Sequence, residues 1–112
     1  MHERWKKLES LSQLDDAIAQ SHVSSQIIFK HSTRCIISKM VLSQFEENLA
    51  TIPAQANLLF LDLLNHRDIS NAIAMQLGVH HESPQIVVIK NGQAVFHESH
   101  HSIDATTIAE YC

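Results

Sequence analysis

Cys35 is the residue with the clearest chemistry in this sequence. It follows the apolar run Ile27-Ile28-Phe29 and precedes a stretch of helical apolar spacing that begins at Ile36. A helix start carries unpaired backbone N–H groups and a partial positive charge, and both favour a thiolate over a thiol. Because the thiolate is the form that attacks disulfides, we predict a nucleophile for thiol–disulfide exchange. A small buried core residue is the alternative for any free cysteine.

Ser38 stands where a second cysteine would close an internal disulfide with Cys35. Its hydroxyl and that of Thr33 are near enough in sequence to donate to the Cys35 sulfur, with capping of the helix start as the alternative for both. The second cysteine, Cys112, is the final residue, where we expect a dispensable thiol rather than a resolving one. Any disulfide of Cys35 is therefore expected to form first with a partner molecule.

The elements that must position these residues follow from the apolar periodicity. Four stretches of helical spacing predict helices at about Leu11–Ile18 with a cap at Ser12, Ile36–Leu49, a segment capped by Asp68 and ended by Gly78, and Asp104–Tyr111. Extended apolar runs predict strands at Gln26–Phe29 and Leu58–Leu64, and a hairpin of Ile86–Ile89 and Ala94–Phe96 around Asn91-Gly92. Strands separated by helices pair in parallel, whereas a hairpin is antiparallel. This order predicts an α/β thioredoxin-like fold with a mixed four-stranded central sheet flanked by helices on both faces.

Length and charge exclude several classes of protein. The 112 residues, 45% of them hydrophobic, predict one domain over residues 1–112. A net charge of -4, with eight scattered Lys and Arg, argues against a nucleic-acid partner. No apolar stretch is long enough to span a membrane, and no apolar signal core follows the N-terminal residues. We expect a cytoplasmic monomer in a reducing compartment.

Four segments resemble the monothiol bacilliredoxins, also called bacillithiol-system redox-active proteins. They are Lys30–Cys35 followed by Ile37-Ser38, Arg67 with Ser70-Asn71, His81–Gln85, and Ser99-His100 with Ile103. The resemblance covers nearly the whole chain from the first helix onward. It implies removal of bacillithiol, a low-molecular-weight thiol, from mixed disulfides on client proteins. Bacillithiol is then the co-substrate, and no cofactor is tightly bound.

The same resemblance suggests roles for residues distant from Cys35. Ser83-Pro84 resembles the cis-proline loop that thioredoxin-fold proteins place opposite the reactive cysteine, where the backbone of Ser83 pairs with an extended substrate. His31 and His81 lie in matched segments. We expect them either to tune proton transfer or to be structural histidines with satisfied hydrogen bonds.

Two cations and one departure from the family pattern adjoin Cys35. Arg34 and Lys39 are candidates to attract the malate carboxylates of bacillithiol or to stabilise the thiolate, with solvated surface charge as the alternative for Lys39. The family pattern Cys-Pro-Ile-Ser reads Cys-Ile-Ile-Ser here, with Ile36 in place of proline. Ile36 adds an N–H donor but loosens the backbone and is able to shield the sulfur. We expect it to change the rate and redox poise, not the chemical role.

Two alternatives of other classes stay open. Nine histidines, among them His80-His81 and the group His97, His100 and His101, suggest a divalent-metal binding module, although their spacing fits no closed tetrahedral set. We therefore assign no metal ligand. The other alternative is a glutathione-using, monothiol glutaredoxin-like carrier, for example of iron–sulfur clusters.

Overall fold

The computed structural model describes all residues from Met1 to Cys112, which form five strands and four α-helices. The strands are β1 (Trp5–Lys7), β2 (Gln26–His31), β3 (Asn57–Asp62), β4 (Gln85–Lys90) and β5 (Gln93–Ser99). The helices are α1 (Leu11–Gln20), α2 (Ile36–Glu47), α3 (Arg67–Leu77) and α4 (Ala105–Ala109), with 3₁₀ turns at Leu49–Thr51 and His100–Ser102. No helix is both long and apolar enough to cross a bilayer.

The five strands form one mixed sheet in the order β1-β3-β2-β4-β5. β1, β3 and β2 run parallel, while β4 is antiparallel to both β2 and β5. The α/β thioredoxin-like architecture is confirmed, but the predicted number of four strands is wrong. The unpredicted strand is β1, in which Trp5 is buried and Lys6 and Lys7 are exposed. Three residues with one apolar side chain give no extended pattern to detect.

Helices cover both faces of the sheet, as predicted. On one face, Phe45 of α2 and Ile108 of α4 join Trp5 and Phe29 in the larger core cluster. The other cluster joins α1 and α3 to the opposite face, and its helical members are Leu14, Ala17, Ile69 and Ile73. Because β2 lies between these layers, all six of its residues are buried.

Two predicted helix caps are wrong. The α1 cap is Ser10 rather than Ser12, and the Ser10 hydroxyl accepts a hydrogen bond from the Gln13 N–H at 3.1 Å. The extended backbone of Ser10 suits a cap, and its spacing from Gln13 is that of a capping box. The α3 cap is His66, which makes no side-chain capping bond, and Asp68 lies inside the first turn. There its carboxylate meets the positive end of the helix dipole.

The predicted positive-φ positions are confirmed. Gly78 ends α3 with φ 65°, and Asn91 and Gly92 form the hairpin turn with φ 54° and 77°. Several element ends differ by a few residues from prediction: α2 ends at Glu47, β3 ends at Asp62, and α4 covers Ala105–Ala109 only, whereas β2 and β5 continue to His31 and Ser99. Tight turns follow α2 and β3, so the apolar pattern continues after the regular hydrogen bonding has ended.

The register of β2 brings three loops together at one edge of the sheet, namely the edge formed by the carboxyl ends of β2 and β3 and the start of β4. His31, the last residue of β2, pairs with Asp62, the last residue of β3. On the other side of β2, Lys30 pairs with Gln85, the first residue of β4. The loops after β2, after β3 and before β4 therefore meet there. The crevice at the carboxyl ends of parallel strands is where α/β sheets bind ligands.

Candidate functional site

Cys35 lies at the start of α2, where β2 has just left the sheet. It is the N-cap residue, with extended backbone angles of φ -107° and ψ 119°, and its carbonyl accepts the Lys39 N–H at 3.1 Å. Its thiol is free and partly exposed. The strand-to-helix junction that the sequence predicted is thus present, and Cys35 is only partly buried.

Ser38 is buried and makes its hydrogen bonds to Ser32 and His31, not to the Cys35 sulfur. Its Oγ accepts the Ser32 N–H at 3.1 Å and lies 2.7 Å from Nδ1 of His31. Because Oγ already accepts from Ser32, its own proton is free to donate to Nδ1. The expected donation to the sulfur is therefore replaced by a bond to His31. Thr33 is exposed, and no side chain caps α2.

His31 is a buried ring, in contact with Ser38 in the first turn of α2. Burial is the largest cause that lowers its pKa below the ordinary 6.5, and the cation of Lys39 lowers it further, while the carboxylates of Asp62 and Glu46 raise it. The short bond from Ser38 satisfies Nδ1 when the ring carries its proton on Nε2. Of the two expected roles, the geometry matches the structural one, in which His31 joins the end of β2 to the first turn of α2.

Lys30 is a buried cation that the sequence analysis did not single out. Its side chain is 0% exposed, and its Nζ donates to the Ser70 carbonyl at 3.3 Å and lies 3.4 Å from Nδ1 of His81. The Ser70 hydroxyl is 3.3 Å from the same nitrogen. Burial lowers the pKa of Lys30 to about 8. The available signal was a lysine that continues an apolar strand directly before the reactive segment.

His81 connects this buried network to the loop before β4. Partial burial is the first cause that lowers its pKa, followed by the cations of Lys30 and Arg67. A neutral ring whose Nδ1 faces Lys30 carries its proton on Nε2. Lys30 and Ser70 therefore contact Nδ1 of His81 from the protein interior, while His81 is exposed at the surface.

Ser83 and Pro84 lie at the same edge, beside the end of β2. Their peptide bond is cis, Pro84 is buried, and its carbonyl accepts the His100 N–H at 3.0 Å. Neither the N–H nor the C=O of Ser83 bonds to another backbone group. The backbone of Ser83 is therefore free to pair with an added chain.

A polar cleft lies on the opposite side of Cys35, between the loop after β2 and the loop after β3. It has a volume of about 400 Å³ and is lined by Thr33, Arg34, Leu64, Asn65 and Arg67. No acidic residue is among its lining, and Lys39 is outside it. A larger cavity of about 470 Å³ lies beside Gln26 and Asn57, at the opposite ends of the strands.

The histidines considered as metal ligands do not cluster, and Cys112 lies far from Cys35. The structure holds no group of three or more His, Cys, Asp or Glu side chains arranged to bind a metal ion. The Cys112 thiol contacts the Ile108 carbonyl at 3.5 Å, and burial raises its pKa. Its charged neighbours Arg4 and Lys90 stand at the edge opposite Cys35. The six-residue strand between the two edges spans roughly 20 Å.

Comparison with known sequences decides the family. The sequence model described as Monothiol bacilliredoxin BrxC matches residues 6–108. The chain belongs to the monothiol bacilliredoxin family. The resemblance in the four segments above is thereby confirmed, and with it a thiol redox role.

Solved structures agree with this family. The chain is similar to a protein described as an oxidoreductase with a thioredoxin fold, at 30% identity and a TM-score of 0.80 over 95% of this chain and 91% of that one. Chloroplastic thioredoxin z is 22% identical, with a TM-score of 0.70 over 99% and 93% of the two chains. Oxidised thioredoxin from Plasmodium falciparum is 19% identical, with a TM-score of 0.73 over 95% of each. The two thioredoxins show the fold alone.

Proposed function

We propose that this protein removes bacillithiol from mixed disulfides on client proteins, with Cys35 as the nucleophile. The observation that carries the proposal is the pairing of a partly exposed Cys35 with a buried Ser38 that is hydrogen-bonded elsewhere. No second thiol stands beside Cys35 to displace a bound group. The adduct must therefore wait for an external thiol, which is the behaviour expected of a monothiol carrier.

The exchange is a pair of thiol substitutions. The Cys35 thiolate attacks the bacillithiol sulfur of the mixed disulfide, a new S–S bond forms, and the client leaves as a thiolate that takes a proton from solvent. A second low-molecular-weight thiol then attacks the adduct and releases Cys35, giving a symmetrical small disulfide. In each step one S–S bond breaks and one forms: the client is reduced and Cys35 oxidised in the first, and Cys35 is reduced and the incoming thiol oxidised in the second. Neither step needs a tightly bound cofactor.

The surrounding residues have positioning or binding roles in this proposal. Ser38 and His31 fix the first turn of α2, and so the direction of the sulfur. The free backbone of Ser83, next to Pro84, pairs with the client segment that flanks the mixed disulfide. His81, held by the buried network, is the candidate to move a proton on the β4 side. The partners proposed are cytoplasmic client proteins and a small thiol acting on a monomer, without nucleic acid or membrane.

Intact-mass analysis after exposure to oxidised bacillithiol tests the proposal. We expect one adduct per chain in the wild type and in the matched control Cys112→Ser, and no adduct in Cys35→Ser. A model protein carrying a bacillithiol mixed disulfide should be reduced by the same variants that form the adduct. Retention of adduct formation by Cys35→Ser, with loss in Cys112→Ser, contradicts the assignment of the nucleophile.

A parallel reaction with oxidised glutathione tests the small thiol. We expect the bacillithiol adduct to form faster. A faster glutathione adduct would instead support the glutaredoxin-like alternative, in which case anaerobic reconstitution and visible absorption would detect an iron–sulfur cluster.

A further inference from the structure

The polar cleft beside Cys35 is built by two loops that are far apart in sequence. Thr33 and Arg34 come from the loop after β2, and Asn65 and Arg67 come from the segment after β3. The parallel pairing of His31 with Asp62 holds these loops side by side. Arg34 immediately precedes Cys35, so the cleft lies beside the segment that carries Cys35, although Cys35 itself does not line it. We call it the arginine cleft.

The arginine cleft has the size and the charge to hold a small anion-bearing molecule. Its volume of about 400 Å³ lies within the range of small-molecule sites. Arg34 and Arg67 contribute two guanidinium groups, each with a planar set of donors that matches a carboxylate, and no acidic lining residue competes for them. α3 starts at Arg67 without a side-chain cap, but Asp68 in its first turn offsets the helix dipole, so the two guanidinium groups supply the positive charge of the cleft.

The two sides of Cys35 differ in what they can receive. On the β4 side, the free backbone of Ser83 matches an extended peptide. On the β3 side, the arginine cleft offers two side-chain cations, which match a compact anionic group better than a peptide backbone, while the Asn65 amide already donates to the Asp62 carboxylate at 2.8 Å. During the exchange, Cys35 is bonded to the small thiol after the client has left. The cleft therefore adjoins the position of the small thiol.

We propose that the arginine cleft binds the carboxylate-bearing end of the small thiol whose sulfur is bonded to Cys35, with Arg34 and Arg67 determining specificity. This inference rests on the proposed thiol exchange, and it adds the part of the small thiol that the chain recognises. The chemistry required is a thiol with two carboxylates. Bacillithiol and glutathione are the two sources that an experiment must separate.

The test is the rate of adduct formation on Cys35 with three symmetrical disulfides. Oxidised bacillithiol and oxidised glutathione carry carboxylates, whereas 2-hydroxyethyl disulfide is neutral. In a Cys112→Ser background, we expect Arg34→Gln and Arg67→Gln each to slow the two anionic disulfides about three- to fivefold, the size of an exposed ion pair. The neutral disulfide should react at the same rate in all variants. Added salt should shrink the difference, because exposed charges are screened.

Two lysines separate cleft binding from general charge attraction. Lys90→Gln removes the same charge at the far edge of the sheet, and we expect no change in rate. Lys39→Gln removes a cation from α2 that lies outside the cleft. If Lys39→Gln slows the anionic disulfides as much as Arg67→Gln does, the cleft is not the binding site. Equal slowing of the neutral disulfide by the arginine variants overturns the inference as well.

The outcomes distinguish this inference from the proposed function. If the wild type forms no adduct with any disulfide, the proposed exchange itself fails. If the wild type forms the adduct and both arginine variants match it with all three disulfides, only the role of the cleft fails. A larger loss with one anionic disulfide than with the other assigns the cleft to that thiol.

Discussion

The polar residues around Cys35 divide into a buried layer and an exposed rim. The buried layer consists of Lys30, His31, Ser38 and Ser70, and the rim consists of Thr33, Arg34, Ile36 and Arg67. Members of the layer bond to one another or to backbone across three elements, whereas no rim side chain caps or joins an element. The comparison indicates that the buried layer fixes the position of the Cys35 sulfur, while the rim side chains determine which molecules bind beside it. Substitutions in the layer should change stability, and substitutions in the rim should change rates.

Ser38→Ala is the strongest test of the buried layer. We expect the free energy of unfolding to fall by about 2 kcal/mol, because the Ser32 N–H and His31 Nδ1 lose their partner inside the protein. Urea denaturation measures the change. The rate of Cys35 alkylation should change much less than stability does, since Ser38 positions the first turn of α2 but does not bond to the sulfur.

Thr33→Ala is the matched control from the rim. It also removes a hydroxyl close to Cys35, but we expect a change in unfolding free energy within about 0.5 kcal/mol. Equal losses in Ser38→Ala and Thr33→Ala would mean that the division into layer and rim is wrong.

Lys30→Met tests the cost of the buried cation. We expect the free energy of unfolding at pH 7 to rise by about 1 kcal/mol, because an apolar side chain of similar length removes the desolvation of an ammonium group. Denaturation of both proteins at several pH values checks this. A clear loss of stability in Lys30→Met at pH 7 would show that the bonds to Ser70 and His81 outweigh desolvation.

The pH dependence has a definite sign. The pKa of Lys30 is about 8 when folded and 10.5 ordinarily, so the unfolded chain binds more protons between these values. The wild type should gain stability as pH rises from about 8 to about 10, and the full cost is present below 8. The advantage of Lys30→Met should therefore be largest at pH 7 and shrink above pH 8. An advantage that does not change with pH would contradict the lowered pKa.

Ile36→Pro restores the family pattern on the rim. Ile36 is 75% exposed at the first position of α2, and the extended backbone of Cys35 before it is the conformation that proline requires of its predecessor. We expect a gain of about 0.5 kcal/mol in unfolding free energy, through a less flexible unfolded chain. Thermal and urea unfolding measure it, with Ile37→Val as a nearby control. A loss above 1 kcal/mol would show that the backbone does not accept proline here.

Arg67→Gln should leave stability nearly unchanged. The guanidinium is exposed, so we expect the free energy of unfolding to shift by less than about 0.5 kcal/mol. The same variant should slow reaction with carboxylate-bearing disulfides, as stated above. A variant that loses stability and slows every disulfide would place Arg67 in the buried layer instead.

Local patterns predicted much of this arrangement. The junction at Cys35, the hairpin turn at Asn91-Gly92 and the end of α3 at Gly78 each depend on a few adjacent residues, and the structure contains all three. Strand β1 was missed because its stability comes from pairing with β3 and from burial of Trp5, not from its own pattern.

Long-range pairing explains what the sequence did not reveal at the site. Arg34 and Arg67 line one cleft only because β2 and β3 pair in parallel and end together. Lys30 is buried only because Ser70 and His81, from other parts of the chain, supply its acceptors. The apolar pattern predicted that β2 ends at Phe29, because that pattern does not show that Ser70 and His81 would supply hydrogen-bond acceptors for Lys30.

The placement of the two sulfurs has a kinetic consequence. Cys112 lies at the far edge of the sheet, and its thiol is held against Ile108. A capped Cys35 therefore has no route to release within its own molecule, and in the proposed cycle its lifetime is set by the concentration of free thiol in the surroundings. The fraction of chains with Cys35 in a mixed disulfide would then report the ratio of the small thiol to its disulfide in the surroundings.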